Sequence, residues 1–336
     1  MPSETPISVI VDYWSMCSMY LEVISAWFCS YFPKNNLASI IKAFQKAERT
    51  SEKLDIPENC EKYLRNIVIH LLLSITVFYG TISFTNVILM RFPNYYLGQW
   101  LVFNVPRLAS ITYLTLFVWC LVIVERKFRR LNKKVHAFLQ NYCIKAHGVM
   151  YQRKSINEIS IAKSSCESTE LFEKLTIILH SHRELRSLLN RIVRHFALFV
   201  MFNVTTQVTV IIFNVYAVYR FVKTHDFTEL LDFLFVISFG VEMLFPLTIL
   251  IIESSVCNSA SYEANNMGNI LHSILNHSDK SFDTEDSARL DVISLGLLLN
   301  KTRISVFGLF YLDHHFIYNT VPMATMYLVI MLQFYT

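Results

Sequence analysis

Long apolar runs alternate along this chain with amphipathic, basic stretches, and the alternation divides it into elements. Six runs are almost free of charge: Tyr13 to Pro33, Asn66 to Met90, Leu108 to Val124, His195 to Tyr219, Phe233 to Ile252, and the terminal stretch Ile304 to Thr336. Because a helix rises about 1.5 Å per residue, some 20 apolar residues cross a hydrocarbon layer of roughly 30 Å. Each run therefore predicts a membrane span. After Asp313 the last of them holds 23 residues without one Lys, Arg, Asp or Glu. Two runs are interrupted by a carboxylate, Glu22 in the first and Glu242 in the fifth. At that depth a carboxylate is costly unless it is paired or faces a wet cavity.

Between the runs the periodicity changes. After Pro33, Leu37, Ile40, Ile41 and Phe44 recur at helical spacing opposite Lys and Glu, which predicts an amphipathic helix outside the membrane. The third span runs into ERKFRRLNKKVHAFLQ, where Phe128, Leu131, Val135, Phe138 and Leu139 continue the helical pattern beneath a dense basic face. A second stripe, Leu171, Leu175, Ile178, Leu185, Leu188, Ile192 and Phe196, leads into the fourth span. As one helix, Leu171 to Arg194 makes a shaft of about 36 Å, and such a shaft needs partners for its stripe. The polar segment KSINEISIAKSSCESTE predicts a mobile linker between the two shafts, and FPNYYLGQWLVFNVP predicts an interfacial turn. Ser287 to Ser305 predicts a last short helix, Gly308 a turn, and Asp313 the cap of the terminal helix.

Composition agrees with the pattern. With 53% hydrophobic and 14% aromatic residues, the chain is too apolar for an ordinary soluble domain. The expected fold is an all-α membrane protein, a bundle of six spans with helical extensions. Its parts are residues 1–124 with three spans, 125–194 with shafts and linker, 195–252 with two spans, 253–303 with a loop and helix, and 304–336 with the terminal helix. Of the 30 Lys and Arg, segments 34–66, 125–194 and 253–303 hold 7, 15 and 4. The positive-inside rule puts these three segments in the cytoplasm and both termini outside. The seven Cys lie in spans or cytoplasmic segments, so no disulfide framework is expected. The sequons at Asn203, Asn276 and Asn300 lie in a span or in cytoplasmic segments and are expected to be inert.

Three short motifs carry a family resemblance. Tyr327, the five apolar residues Leu328 to Leu332, then Gln333 and Phe334 resemble the C-terminal signature of insect gustatory receptors, with Met326 standing where that signature has Thr. Gly308-Leu309-Phe310 and Leu312-Asp313 resemble the pairs leading into the same final helix. Lys127-Phe128 followed by Arg129-Arg130-Leu131-Asn132 resembles the Arg-Phe-x-x-Leu-Asn segment after the family's fourth span, with Lys in place of the first Arg. Only three predicted spans precede it here, so the first family helix is expected to be missing. That expectation agrees with the external N-terminus given by the charges.

The resemblance implies a tetrameric cation channel in the plasma membrane of sensory neurons. It further implies a final helix lining one central pore, cytoplasmic helices forming an intersubunit anchor, and a ligand pocket in the outer half of the remaining helices. The partners so implied are a small-molecule tastant, membrane lipid and other gustatory receptor subunits in a homo- or hetero-tetramer. Phe128, Leu131, Asn132 and Leu298 are the anchor residues to expect. In the terminal helix Asn319, Met323, Met326, Ile330 and Gln333 recur at spacings of 4, 3, 4 and 3 and form one stripe, polar at both ends. Met and Ile around an axis make a hydrophobic constriction, and a ring of Gln333 amides hydrates a passing cation without holding it tightly. By itself the stripe fits an ordinary packed bundle helix better than a pore, and the family motifs reverse that reading. Tyr327 and Phe334 lie further round, placed to lock the helix against neighbours.

Pocket candidates are the polar and aromatic groups at membrane depth: Tyr79, Tyr113, Trp119, Gln207, Asn214 and Glu242. Glu242 serves equally as a ligand contact or as structural glue with Gln207 or Asn203. No phosphate-cradling glycine loop, zinc-spaced Cys pair or nucleophile elbow occurs, so neither an enzyme nor a cofactor nor a nucleic-acid partner is expected. His314 and His315 beside Asp313 point about 100° apart on a helix and do not suit one metal ion. Other readings are an odorant-type receptor, a non-conducting modulatory subunit, a G-protein-coupled receptor, which requires an odd span count, and a small transporter, which requires internal repeats.

Overall fold

The computed structural model describes residues 6–31, 37–53, 97–153, 160–224, 230–277 and 284–333, with the isolated positions 65, 69, 72, 73, 76 and 80. In chain order the elements are α1 (Pro6–Tyr31), α2 (Leu37–Lys53), α3 (Leu97–Arg153), α4 (Ser160–Thr224), α5 (Leu230–His277), α6 (Thr284–Leu299), a hairpin of β1 (Ser305–Val306) and β2 (Phe310–Tyr311), and α7 (His314–Gln333). The protein is an all-α membrane protein. The isolated positions are all helical, and most of the expected span Asn66 to Met90, Tyr79 included, lies outside the described residues.

Length decides the architecture. Helices α3, α4 and α5 contain 57, 65 and 48 residues, or about 85, 98 and 72 Å of helix. Each is more than twice as long as the hydrocarbon layer is thick, so each is a span and a shaft in one piece. Among the described residues, three helical stretches are long and apolar enough to cross: Val105–Tyr142, Phe172–Lys223 and Met243–Asn276. The 20 residues of α7 come to about 30 Å, the thickness of the hydrocarbon alone.

The shafts bury the stripes that the sequence displays. Phe117, Leu121, Val124, Phe128, Leu131 and Val135 on α3 alternate steps of four and three, and all are buried. Leu185, Leu188, Ile192, Phe196 and Phe199 on α4, at steps of three, four, four and three, are buried as well. The spacing keeps one seam turned towards a partner along the whole length. The facing side of α5 is made of small groups, Cys257, Ala260 and Ala264, followed by Met267 and Leu271, which lets the three backbones approach closely. Helix α2 lays Ile40 and Ala47 into the same core against α4.

Three expectations are corrected. Residues 160–170, read as a mobile linker, are the first turns of α4; the segment contains no Gly or Pro, so a packed shaft extends through it. The predicted interfacial turn is helical from Leu97, with Pro106 inside α3, because a proline removes one hydrogen bond that neighbouring groups can replace in a membrane helix. The last short helix ends at Leu299 instead of Ser305. There Asn300 turns its side-chain Nδ2 back to the Gly296 carbonyl at 3.1 Å.

The chain then forms the hairpin, which apolar patterning did not signal. Phe307 and Gly308 have φ of 51° and 75°, the pair of left-handed residues that a tight hairpin turn needs. Leu309 N–H donates to the Val306 carbonyl at 2.9 Å. Gly308 adopts its φ freely, whereas Phe307 does so against its own Cβ. Asp313 caps α7 as expected, accepting the Phe316 amide at 3.1 Å. Replacing a capping carboxylate costs about 1 kcal/mol. Asp313→Ala is therefore expected to lower the thermal unfolding midpoint of the purified protein, and Asp313→Asn to recover most of the loss.

Candidate functional site

The polar groups of the shafts converge on three consecutive residues of α5. Glu263 is buried, and a buried carboxylate must be paired. Arg129 Nε donates to Glu263 Oε1 at 2.9 Å, and the same guanidinium reaches Glu125 through Nη2. Asn132 Nδ2 donates to the Glu263 carbonyl at 2.8 Å and to Oε2 at 3.1 Å. On the next residue, the Ala264 carbonyl accepts the Nε2 proton of buried His182 on α4 at 2.9 Å. Asn265 closes a reciprocal pair with Thr302, Nδ2 to the Thr302 carbonyl at 2.9 Å and the Thr302 amide to Oδ1 at 2.7 Å. Nearer the membrane, Ser254 Oγ donates to the carbonyl of Asp313, the cap of α7, at 2.7 Å. A short length of α5 thus bonds to α3, to α4 and to both ends of the segment that leads into α7.

Packing seals this junction. The Phe128 ring meets the His182 ring edge-on at 5.4 Å. Gly268 lets α6 settle on α5, since a Cβ there would stand 3.2 Å from Leu297 Cβ and 3.3 Å from Leu298 Cγ. Helix α2 is clipped to α4 by Glu184, which takes Lys46 Nζ at 2.8 Å and Thr50 Oγ1 at 2.8 Å.

Of the expected anchor residues, Phe128, Leu131 and Asn132 are buried within the subunit on α3, and half-buried Leu298 of α6 covers Gly268 on α5. The described pocket candidates lie on α3 and α4. Tyr113 is tied to α4 through His195, its hydroxyl 3.2 Å from Nε2, and through ring contacts with Phe196 and Phe199 at 5.0 and 4.8 Å. Trp119 is buried lower on α3, while Gln207 and Asn214 sit half-buried on α4. Glu242 lies on α5, and its side chain is outside what is described. On α7, Phe316, Ile317, Thr320, Ala324 and Leu328 turn inwards, whereas Asn319, Met323, Met326, Ile330 and Gln333 are exposed. Tyr327 is also half-exposed, and Phe334 lies outside the described residues.

Over residues 2–336 the chain matches the family of 7tm chemosensory receptors. The chain belongs to that family. No curated protein matches it. Membership gives the receptor a chemosensory role and accounts for its membrane-length helices. It also gives meaning to the junction, because the Arg129-to-Asn132 motif and the Leu312-Asp313 motif are bonded to one short length of α5, through Glu263 and Ser254. Sequence reasoning did not find Ser254, Glu263, Asn265 or Thr302. The one available signal was an acidic residue set on the small-residue face of α5.

Glu263→Ala leaves the half-exposed Arg129 with Glu125 alone and Asn132 with the residue-263 backbone carbonyl alone, and is expected to cost about 1–2 kcal/mol, read as lost thermal stability with the α-helical circular dichroism retained. Burial holds the His182 imidazole below its ordinary value, with Arg186 adding to the shift against the bond to Ala264. The unfolded ring thus takes a proton more readily than the folded one. Stability is expected to be full above an ordinary imidazole value of about 6.5 and to fall as the pH drops below it, a loss that His182→Gln should diminish.

Proposed function

We propose that the receptor is a gustatory-type, ligand-gated cation channel subunit, four copies of which surround one ion path lined by α7. The observation that carries this reading is the two-sided terminal helix. One face, with Phe316, Thr320, Ala324 and Leu328, packs on α4 and α5, while the stripe Asn319, Met323, Met326 and Ile330 is exposed, Met323 and Met326 by 53% and 67%. A second copy around an axis covers that face, puts Met and Ile at a constriction that dewets when closed, and puts the Gln333 amides at one mouth. The Tyr327 to Gln333-Phe334 spacing supports the gustatory branch over the odorant one. The segment from Thr302 to Asp313 hangs from Asn265 and Ser254 on α5, so a shift of α5 against the anchored shafts is passed to the base of the pore helix. The basic shafts lie in the cytoplasm and both termini outside.

Cells expressing the receptor, alone or with other gustatory subunits, are expected to give tastant-evoked cation current. Ile330→Cys should make that current sensitive to a water-soluble thiol reagent, and tags at both ends should label on intact cells. A reagent that leaves the current untouched, or a receptor that runs as a monomer in detergent, would rule the pore out.

A further inference from the structure

We propose that Glu22, Ser110, Asn203 and Thr206 form an acceptor-rich subsite in the membrane core that takes the protonated amino group of a small organic amine. The four residues come from three helices: Glu22 from α1, Ser110 from α3, Asn203 and Thr206 from α4. None is more than 4% exposed. Glu22 lies beside both Thr206 and Ser110, and Asn203 sits one turn from Thr206, within the same face of α4.

The chemistry at this place is unbalanced. Thr206 donates its hydroxyl proton to the Phe202 carbonyl at 2.9 Å, so towards Glu22 it offers an oxygen only. Glu22 Oε1, Ser110 Oγ and Asn203 Oδ1 are buried without a hydrogen-bond partner, and of these three atoms only the Ser110 hydroxyl carries a proton of its own. Ser25 bonds to the backbone carbonyl of Glu22 and gives nothing to its carboxylate. Glu253 on α5 adds to the deficit. It is 1% exposed, both of its carboxylate oxygens lack partners, and it acts electrostatically on Glu22. Against these two carboxylates stands Arg107, half-buried at the edge of the cluster.

Buried acceptors without donors are costly, and uncompensated buried charge more so. A proton on one carboxyl cancels one charge but supplies one donor. A primary ammonium carries the same charge on three N–H donors and no acceptor, which suits Glu22, Asn203 and a hydroxyl oxygen together. One turn away along α3 and α4, Tyr113 and Phe199 meet edge to face at 4.8 Å. This aromatic wall is suited to the apolar body of an amine. The assignment rests on the chemosensory reading for the occupant being a ligand, but not on conduction.

The test is a binding measurement on the full-length receptor in lipid nanodiscs, with phenethylamine as probe and 2-phenylethanol as its uncharged counterpart. Phenethylamine is expected to raise the unfolding midpoint saturably, and the alcohol to leave it unchanged. Glu22→Gln should weaken the amine on the order of tenfold, the loss of one charge-assisted hydrogen bond. Should that variant not fold, Asn203→Leu takes its place, with a weakening of several-fold expected. Equal stabilisation by the alcohol, an affinity unmoved by either variant, or stabilisation by sodium chloride but not by the amine would overturn the assignment. A receptor that binds the amine yet passes no current would sink the channel and leave the subsite standing.

Discussion

A buried carboxylate cannot be left alone, and Glu263 makes that requirement the centre of this receptor. Satisfying it draws Arg129 and Asn132 of α3 onto α5, and the two residues after Glu263 hold the other partners, the Ala264 carbonyl taking His182 of α4 and the Asn265 side chain taking Thr302 ahead of α7. Apolar stripes alone permit helices to slide by a turn along one another, since Leu and Ile pack nearly as well one heptad on. Directional bonds at one level do not permit it. The junction sets the register of three helices, each longer than the membrane is thick, and the membrane-embedded ends inherit that register.

This division explains how the two halves of the molecule differ. In the shafts water is present, so burying Phe128, Leu185 or Ile192 is driven by the hydrophobic effect and the seams close tightly. In the membrane part lipid solvates apolar side chains as well as protein does, and helices associate through close approach and polar contacts instead. The Tyr113–His195 pair belongs to that second regime. The same physics makes the unpartnered oxygens around Glu22 conspicuous, because nothing in a bilayer substitutes for a missing donor.

The terminal helix stands apart from both. It is short, capped by Asp313, and attached through a two-stranded hairpin whose turn holds Phe307 in a left-handed conformation. Stored strain at such a place persists only where the surroundings fix it. Here the surroundings are Asn265, which grips Thr302 just before the hairpin, and Ser254, which grips Asp313 just after it. A helix suspended in this way takes its position from that neighbour.

Hydrophobic periodicity by itself determined that the protein is an all-α membrane protein, where its apolar runs lie, and which faces of α3 and α4 are buried. Those features follow from the local spacing of side chains, and Phe128, Leu131 and Leu188 are found where their spacing put them. The cap at Asp313 was equally legible, because capping is a contact over three residues. Tertiary structure decided the rest. Residues 160–170 joined α4 because a packed shaft carries polar turns with it, and the hairpin arose from two positive φ angles that apolar patterning does not display. The partners of Glu263 and the gathering of Glu22, Ser110 and Asn203 depend on residues from 88 to 181 positions apart in the chain. Only the relative placement of whole helices brings such residues together, and no local pattern encodes it.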